Sequence, residues 1–273
     1  MKQTELKKRV LTGVIGGAVL LSLIILAGRI GVAFIAVILS LGMLYEFTEM
    51  VFGLGDKSEK RFVLLGTGWL VAFFNFWIPR VEYQLLLIVF IGLFCYFLFT
   101  AERHKSQLDV HFQELMFSLF AALYLIFFPL FFPLLADTAN GMKWTILFLF
   151  IVWMGDTGAY FVGKKYGQRK LYPLISPKKT IEGALGGLGA SLVVSIIFKL
   201  IFFRSLSFGA TFIVPILVGI VSQVGDLCES FLKRAYHRKD SGAILPGHGG
   251  FLDRFDGVVF SLPVIYACAR LFS

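Results

Sequence analysis

Nine mostly apolar stretches, each about long enough for an α-helix to cross roughly 30 Å of hydrocarbon, recur along this chain. They fall at residues 10–27, 31–48, 62–78, 84–100, 115–135, 144–162, 183–203, 208–228 and 255–272. With 58% hydrophobic and only 16% charged side chains, the 273 residues lack the polar surface that a soluble domain of this size needs. The excess must face lipid, and the 31 phenylalanines suit that role because they demand no hydrogen-bond partner. The fold class read from this pattern is an all-α integral membrane protein with about nine transmembrane helices. Lys7-Lys8-Arg9 and the apolar run behind it have the look of a signal peptide. The run is longer than a usual h-region and another follows at once, so it is read as an uncleaved first span.

The basic residues test that count independently. Alternate connections carry Lys2, Lys7, Lys8 and Arg9; then Lys57, Lys60 and Arg61; then Arg103 and Lys105; then Lys164, Lys165, Arg169, Lys170, Lys178 and Lys179; then Lys233, Arg234, Arg238, Lys239 and Arg254. The opposite connections hold only Arg29, Arg80, Lys143, Arg204 and Arg270, and Lys199 lies inside a span. The bias never breaks, which places the N-terminus in the cytoplasm and, with an odd count, the C-terminus outside. The expected location is the inner (cytoplasmic) membrane, multi-pass, with the active site facing the cytoplasm. A net charge of +9 raises the question of nucleic acid, but hydropathy assigns the positive residues to anionic headgroups and phosphates instead.

Two segments are expected: five N-terminal spans within residues 1–142, and a catalytic region over 143–273 with long cytoplasmic loops at 163–182 and 229–254. No internal repeat supports an inverted-repeat transporter. Cys95, Cys228 and Cys268 stand alone in apolar runs, without zinc or disulfide spacing. His104, His111 and His237 are expected at the surface.

Charged groups near a bilayer are costly, so their placement carries information. In the eighth span Ser222, Asp226, Glu229 and Lys233 recur at helical spacing on one face. In the sixth, Asp156 lies one turn from Tyr160 and two turns from Lys164; it serves either a site or a structural ion pair. The densest signal is Leu245-Pro246-Gly247-His248-Gly249-Gly250-Phe251-Leu252-Asp253-Arg254-Phe255-Asp256-Gly257. Its glycines let backbone amides converge on an anion, and the following helix offers its N-terminal amides. Asp253 and Asp256 beside such a loop make sense if Mg²⁺ lies between them and phosphate oxygens; helix capping is the alternative for each. His248 contacts phosphate, acts as an acid, or is simply exposed. Ser176-Pro177-Lys178-Lys179-Thr180-Ile181-Glu182-Gly183 sets two lysines and two hydroxyls before a helix, a basic wall for a polyphosphate. Gly183, Gly187 and Ala190 mark tight helix packing, within the chain or between chains.

Together these segments resemble the phosphatidate cytidylyltransferase (CDP-diacylglycerol synthase) family. The likeness runs from Ser230-Phe231-Leu232-Lys233-Arg234 through Lys239-Asp240-Ser241-Gly242 to the loop ending at Asp256, with Asp156-Thr157-Gly158-Ala159-Tyr160 and the 176–183 segment alongside. Tyr45-Glu46-Phe47 is a weaker match. The resemblance implies Mg²⁺-dependent transfer from CTP to phosphatidic acid, giving CDP-diacylglycerol and pyrophosphate, by an all-helical and dimeric membrane protein. It implies Asp226 and Asp253 as metal ligands, with Asp256 and Glu229 as additional or supporting groups and a second cation of unstated identity. Lys178, Lys179, Lys233 and Arg254 would meet phosphates, joined by Ser176, Thr180, Arg234 and Lys239. The backbone of Gly247, His248, Gly249 and Gly250 would cradle the nucleotide. Asp156 and Glu182 would hold basic residues in place. The rival classes are a transporter of organic anions, a phosphotransferase consuming CDP-diacylglycerol, whose full Asp-rich motif is missing here, and a non-catalytic scaffold.

Overall fold

The computed structural model describes residues 3–53, 58–78, 81–242, 244 and 249–272. Helices dominate it. In chain order they are α1 (Gln3–Phe52), α2 (Ser58–Trp77), α3 (Glu82–Thr100), a 3₁₀ turn (Ala101–Gln107), α4 (Leu108–Ala121), a π-helical turn (Ala122–Phe127), α5 (Phe128–Ala136), α6 (Gly141–Tyr166), α7 (Ile181–Ile201), α8 (Phe208–Ala235) and α9 (Leu252–Phe272). Between α6 and α7 a short antiparallel hairpin pairs β1 (Lys170–Tyr172) with β2 (Ser176–Thr180), an element that hydropathy alone did not foretell. Seven helices among the described residues are long and apolar enough to cross a membrane: Ile15–Phe52, Glu82–His104, Leu108–Ala136, Gly141–Tyr166, Ile181–Ile201, Phe208–Ala235 and Leu252–Phe272. The chain is a multi-pass helical membrane protein.

Seven differs from nine for two reasons. The stretches expected at 10–27 and 31–48 lie on one assigned helix, α1, which is interrupted at Gly28 (φ 55°, ψ −134°). Only glycine adopts that conformation freely, and a Cβ on Gly31 would sit 2.2 Å from the Leu23 carbonyl oxygen, so the chain turns sharply there. The stretch expected at 62–78 is α2, whose first turn brings Glu59, Lys60 and Arg61 and whose remainder includes Thr67 and Asn75. Those groups lower its hydropathy below that of the other spans.

The chain divides into two compact units. One comprises Ala33–Leu130; the other joins Met1–Val32 to Phe131–Ser273. Within the first, Lys60 and Glu114 form a buried ion pair, Lys60 lies over the Phe97 ring, and Arg61 stacks 4.4 Å from the centre of the Tyr45 ring. His111, expected at the surface, is instead 4% exposed. The turn between α3 and α4 folds it against Phe97, whose carbonyl oxygen lies 2.8 Å from its Nε2, and His104 stacks on its ring. His237 is exposed as expected.

The second unit is held by small residues. A Cβ on Gly158 of α6 would lie 2.5 Å from the Ala190 Cβ and 2.9 Å from the Gly186 carbonyl oxygen of α7. Gly183 and Gly187 make equally close approaches to α6, so this stripe packs within the chain. Ser191 donates to the Ile151 carbonyl (2.9 Å) and Ser195 to that of Thr211 (3.0 Å), tying α7 to α6 and α8 where no water is at hand. Gly158→Val is therefore expected to destabilise the unit by about 1–3 kcal/mol, seen as a lower unfolding midpoint in detergent. Gly189→Ala, where an added Cβ meets nothing within 4 Å, is expected to leave it unchanged.

Candidate active site

The crossing of α8 over α9 brings the acidic residues together. Gly225 and Gly257 are the contact points: a Cβ on Gly225 would fall 2.5 Å from the Phe260 Cβ, and one on Gly257 would fall 2.9 Å from the Ser222 carbonyl oxygen. The residue next to each glycine is an aspartate. Asp226, Glu229 and Asp256 consequently present one carboxylate oxygen each within 4.8 Å of one another. Glu229 is 1% exposed and Asp256 8%, while the Asp226 side chain is 41% open.

Basic groups bracket this cluster. Lys179 of β2 pairs with Asp226 on one flank. On the other, Lys233 lies 2.6 Å from Glu229 and also pairs with Asp253. Asp253 is further engaged: its Oδ2 accepts from the Ser241 amide (3.0 Å), the Ser241 hydroxyl (3.1 Å) and the Gly250 amide (3.0 Å). It fastens the loop before α9 to the end of α8, and Gly249 takes a positive φ of 83° beside it. Asp226, Glu229 and Asp256 are the three carboxylates gathered within 4.8 Å, and Asp253 faces Lys233, Ser241 and Gly250.

Around Asp226 opens a cavity of about 500 Å³ between α6, the hairpin, α7 and α8. Asp156, Tyr160, Lys164, Lys178, Lys179 and Gln223 line it. The hairpin forming its wall is clamped at both ends. At its base Glu182 accepts from the amides of Gln168 and Arg169 (both 3.1 Å) and pairs with the Arg169 guanidinium (2.9 Å). At its tip Arg234 donates to the Ile175 carbonyl (3.3 Å). Thr180 is buried and caps α7, accepting from the Gly183 amide at 3.1 Å. Ser176 begins β2, and Lys239 and Arg254 are exposed beyond α8 and in the first turn of α9. Gly247 and His248 lie outside the described residues.

This arrangement is matched to a divalent cation. Three carboxylates (Asp226, Glu229 and Asp256) gather between two flanking lysines, Asp156 lines the cavity beside Asp226, and the buried Oε1 of Glu229 accepts no hydrogen bond among the described residues. A buried carboxylate oxygen without a partner is costly unless a cation supplies one. Hard oxygen donors of this kind suit a divalent cation.

Comparison with known proteins settles the family. The model of the "Cytidylyltransferase family" matches residues 7–272. The chain belongs to the cytidylyltransferase family. A phosphatidate cytidylyltransferase of Bacillus subtilis (strain 168) is 35% identical over 98% of this chain and 99% of its own length. One from Staphylococcus haemolyticus (strain JCSC1435) is 38% identical over 69% of this chain and 70% of its own, and one from Staphylococcus aureus (strain COL) 45% over 46% and 49%. Membership of the cytidylyltransferase family makes the chain a nucleotidyltransferase.

Proposed function

We propose that this enzyme transfers the cytidylyl group of CTP to phosphatidic acid, releasing pyrophosphate and leaving CDP-diacylglycerol in the membrane. The observation that carries the reading is the Asp226–Glu229–Asp256 group, two of its carboxylates buried, beside a lysine-lined cavity, in a chain matched end to end by a phosphatidate cytidylyltransferase. Residues 143–273 carry the chemistry in this reading. α1 counts as two spans on either side of Gly28, since its 38-residue span Ile15–Phe52 would extend about 57 Å as one straight helix. With α2 the total is nine, the N-terminus and the site facing the cytoplasm of an inner membrane, the C-terminus outside. The resemblance also supports a homodimer.

Asp226, Glu229 and Asp256 would hold Mg²⁺, which when bound neutralises phosphate charge and orients the triphosphate. In this reading Asp253 serves as an anchor instead of a ligand: it holds Ser241 and Gly250 and shares Lys233 with Glu229. Lys178 and Lys179 bind phosphate oxygens from the hairpin wall, and Lys179 exchanges its Asp226 partner for them as substrate arrives. Gly249, whose φ is positive, would border the nucleotide from the segment just before α9. A phosphate monoester is already largely ionised near neutral pH, its second pKa being about 6, so the reaction needs no general base. The chain's task is to bring two polyanions into line and exclude water. Purified protein given radiolabelled CTP and phosphatidic acid is expected to form a lipid-soluble labelled product only with Mg²⁺ present. Label that stays in the aqueous phase under every condition would refute the reading.

A further inference from the structure

We propose that Arg61 and an exposed stripe of α1 form a binding site for one anionic phospholipid, built from residues that the reaction does not use. Both parts lie within the unit Ala33–Leu130. Arg61 is 8% exposed and stacks on the Tyr45 ring. Yet among the described residues no carboxylate pairs with its guanidinium and no oxygen accepts a hydrogen bond from it. Its neighbour Lys60, equally buried, has Glu114. A buried cation without a counter-charge is costly in a membrane protein, and the planar fork of N–H donors matches a phosphate.

The place of that charge makes a lipid the carrier of the anion. Arg61 immediately precedes the apolar stretch 62–78, and Phe62 is exposed, so the guanidinium stands at the edge of the hydrocarbon, beside the lipid headgroups. Tyr45, the ring it stacks on, begins the stripe. Over residues 34–45 of α1 only Phe34, Ile38 and Tyr45 are exposed; Val37, Leu41 and Gly42 are half-buried and the rest are buried. The three exposed side chains share one helix face, which extends about 16 Å. α2 runs back along this part of α1, with Gly68 against Leu44, so the path from Tyr45 to Phe34 leads the same way as α2 beyond Phe62, into the bilayer. One leaflet's hydrocarbon is about 15 Å deep, half of roughly 30 Å, and the stripe therefore has the length of one acyl chain. It is one side chain wide, narrower than the seam by which a helix of a second copy would dock. A zwitterionic lipid would bring a second cation to Arg61, whereas an anionic one cancels the charge.

The test begins with the full chain, stripped of lipid in detergent, and native mass spectrometry. The first phosphatidylglycerol adduct is expected to saturate at a concentration about tenfold lower than the first phosphatidylcholine adduct. Arg61→Gln is expected to abolish that preference. Arg103→Gln, at an exposed arginine beside Glu59, is expected to keep it. Inorganic phosphate, which has no acyl chain, is expected not to displace the adduct. Equal affinity for the two lipids, a preference that survives Arg61→Gln, or displacement by inorganic phosphate would each overturn the site. A second measurement leaves Arg61 in place. With p-benzoylphenylalanine replacing Ile38, irradiation in nanodiscs holding both lipids in equal amounts is expected to attach mainly phosphatidylglycerol. The same probe replacing Leu87, an exposed residue of α3, is expected to attach both equally. Equal capture at position 38, or capture of a second copy of the chain there, would defeat the proposal.

Discussion

Glu229→Gln is expected to lower cytidylyl transfer by about a thousandfold, roughly 4 kcal/mol of transition-state stabilisation, while the protein still folds. The substitution keeps the shape of the side chain and removes only its charge. Glu229 is buried on the α8 face that meets α9, with one oxygen near Lys233 and the other without a hydrogen bond among the described residues. An amide there is a poor ligand for a hard cation and cannot neutralise it. Steady-state turnover of labelled CTP, beside an unfolding curve showing an intact protein, checks the expectation. Activity within about tenfold of wild type would remove Glu229 from the ligand set.

The second large effect concerns stability. Lys233→Met is expected to cost about 3–5 kcal/mol, because it strips two carboxylates of a shared cation. The Lys233 side chain is 12% exposed and lies between Glu229 and Asp253. Breaking one partner of a buried pair leaves the others charged and desolvated, which is worse than never having buried them. The loss is expected to shrink when Glu229→Gln is added, since the two residues share one interaction. Thermal unfolding of the single and double variants in detergent measures both terms. Lys239→Ala, at an exposed position just beyond α8, is the control expected to change nothing. An unchanged midpoint for Lys233→Met would show that the ion pairs contribute little to the fold.

Much of this was legible in the sequence because hydrocarbon imposes simple rules. Apolar stretches longer than a bilayer's thickness announce helices, and Asp226, Glu229 and Lys233 declared a shared face through their spacing alone. The Gly183–Ala190 stripe likewise announced close packing, though only coordinates assign it to α6 of the same chain. What remained hidden depended on partners far apart in sequence. Asp253 and Asp256 sit three apart at the start of α9, so spacing alone could not separate their roles. One turns back to Lys233 and the Ser241 and Gly250 amides, and the other turns towards α8, where Gly257 lies against Ser222. The available signal was the Gly225-Asp226 and Asp256-Gly257 pairing, in which each aspartate borders a residue small enough for helices to touch. The hairpin escaped notice because its eight strand residues carry no strand periodicity; Pro177 and three lysines dominate them. His111 looked like a surface residue because nothing local shows that Phe97, fourteen positions earlier, will accept its hydrogen bond.

We propose that three carboxylates on two helices, those of Asp226, Glu229 and Asp256, hold one divalent cation. Binding of Mn²⁺ to the purified protein, followed by electron paramagnetic resonance without CTP or lipid, tests it most directly. One saturable site is expected, lost in Asp226→Asn, Glu229→Gln and Asp256→Asn and weakened by about tenfold or less in Asp253→Asn. A site that survives Glu229→Gln at full affinity and vanishes only in Asp253→Asn would contradict it.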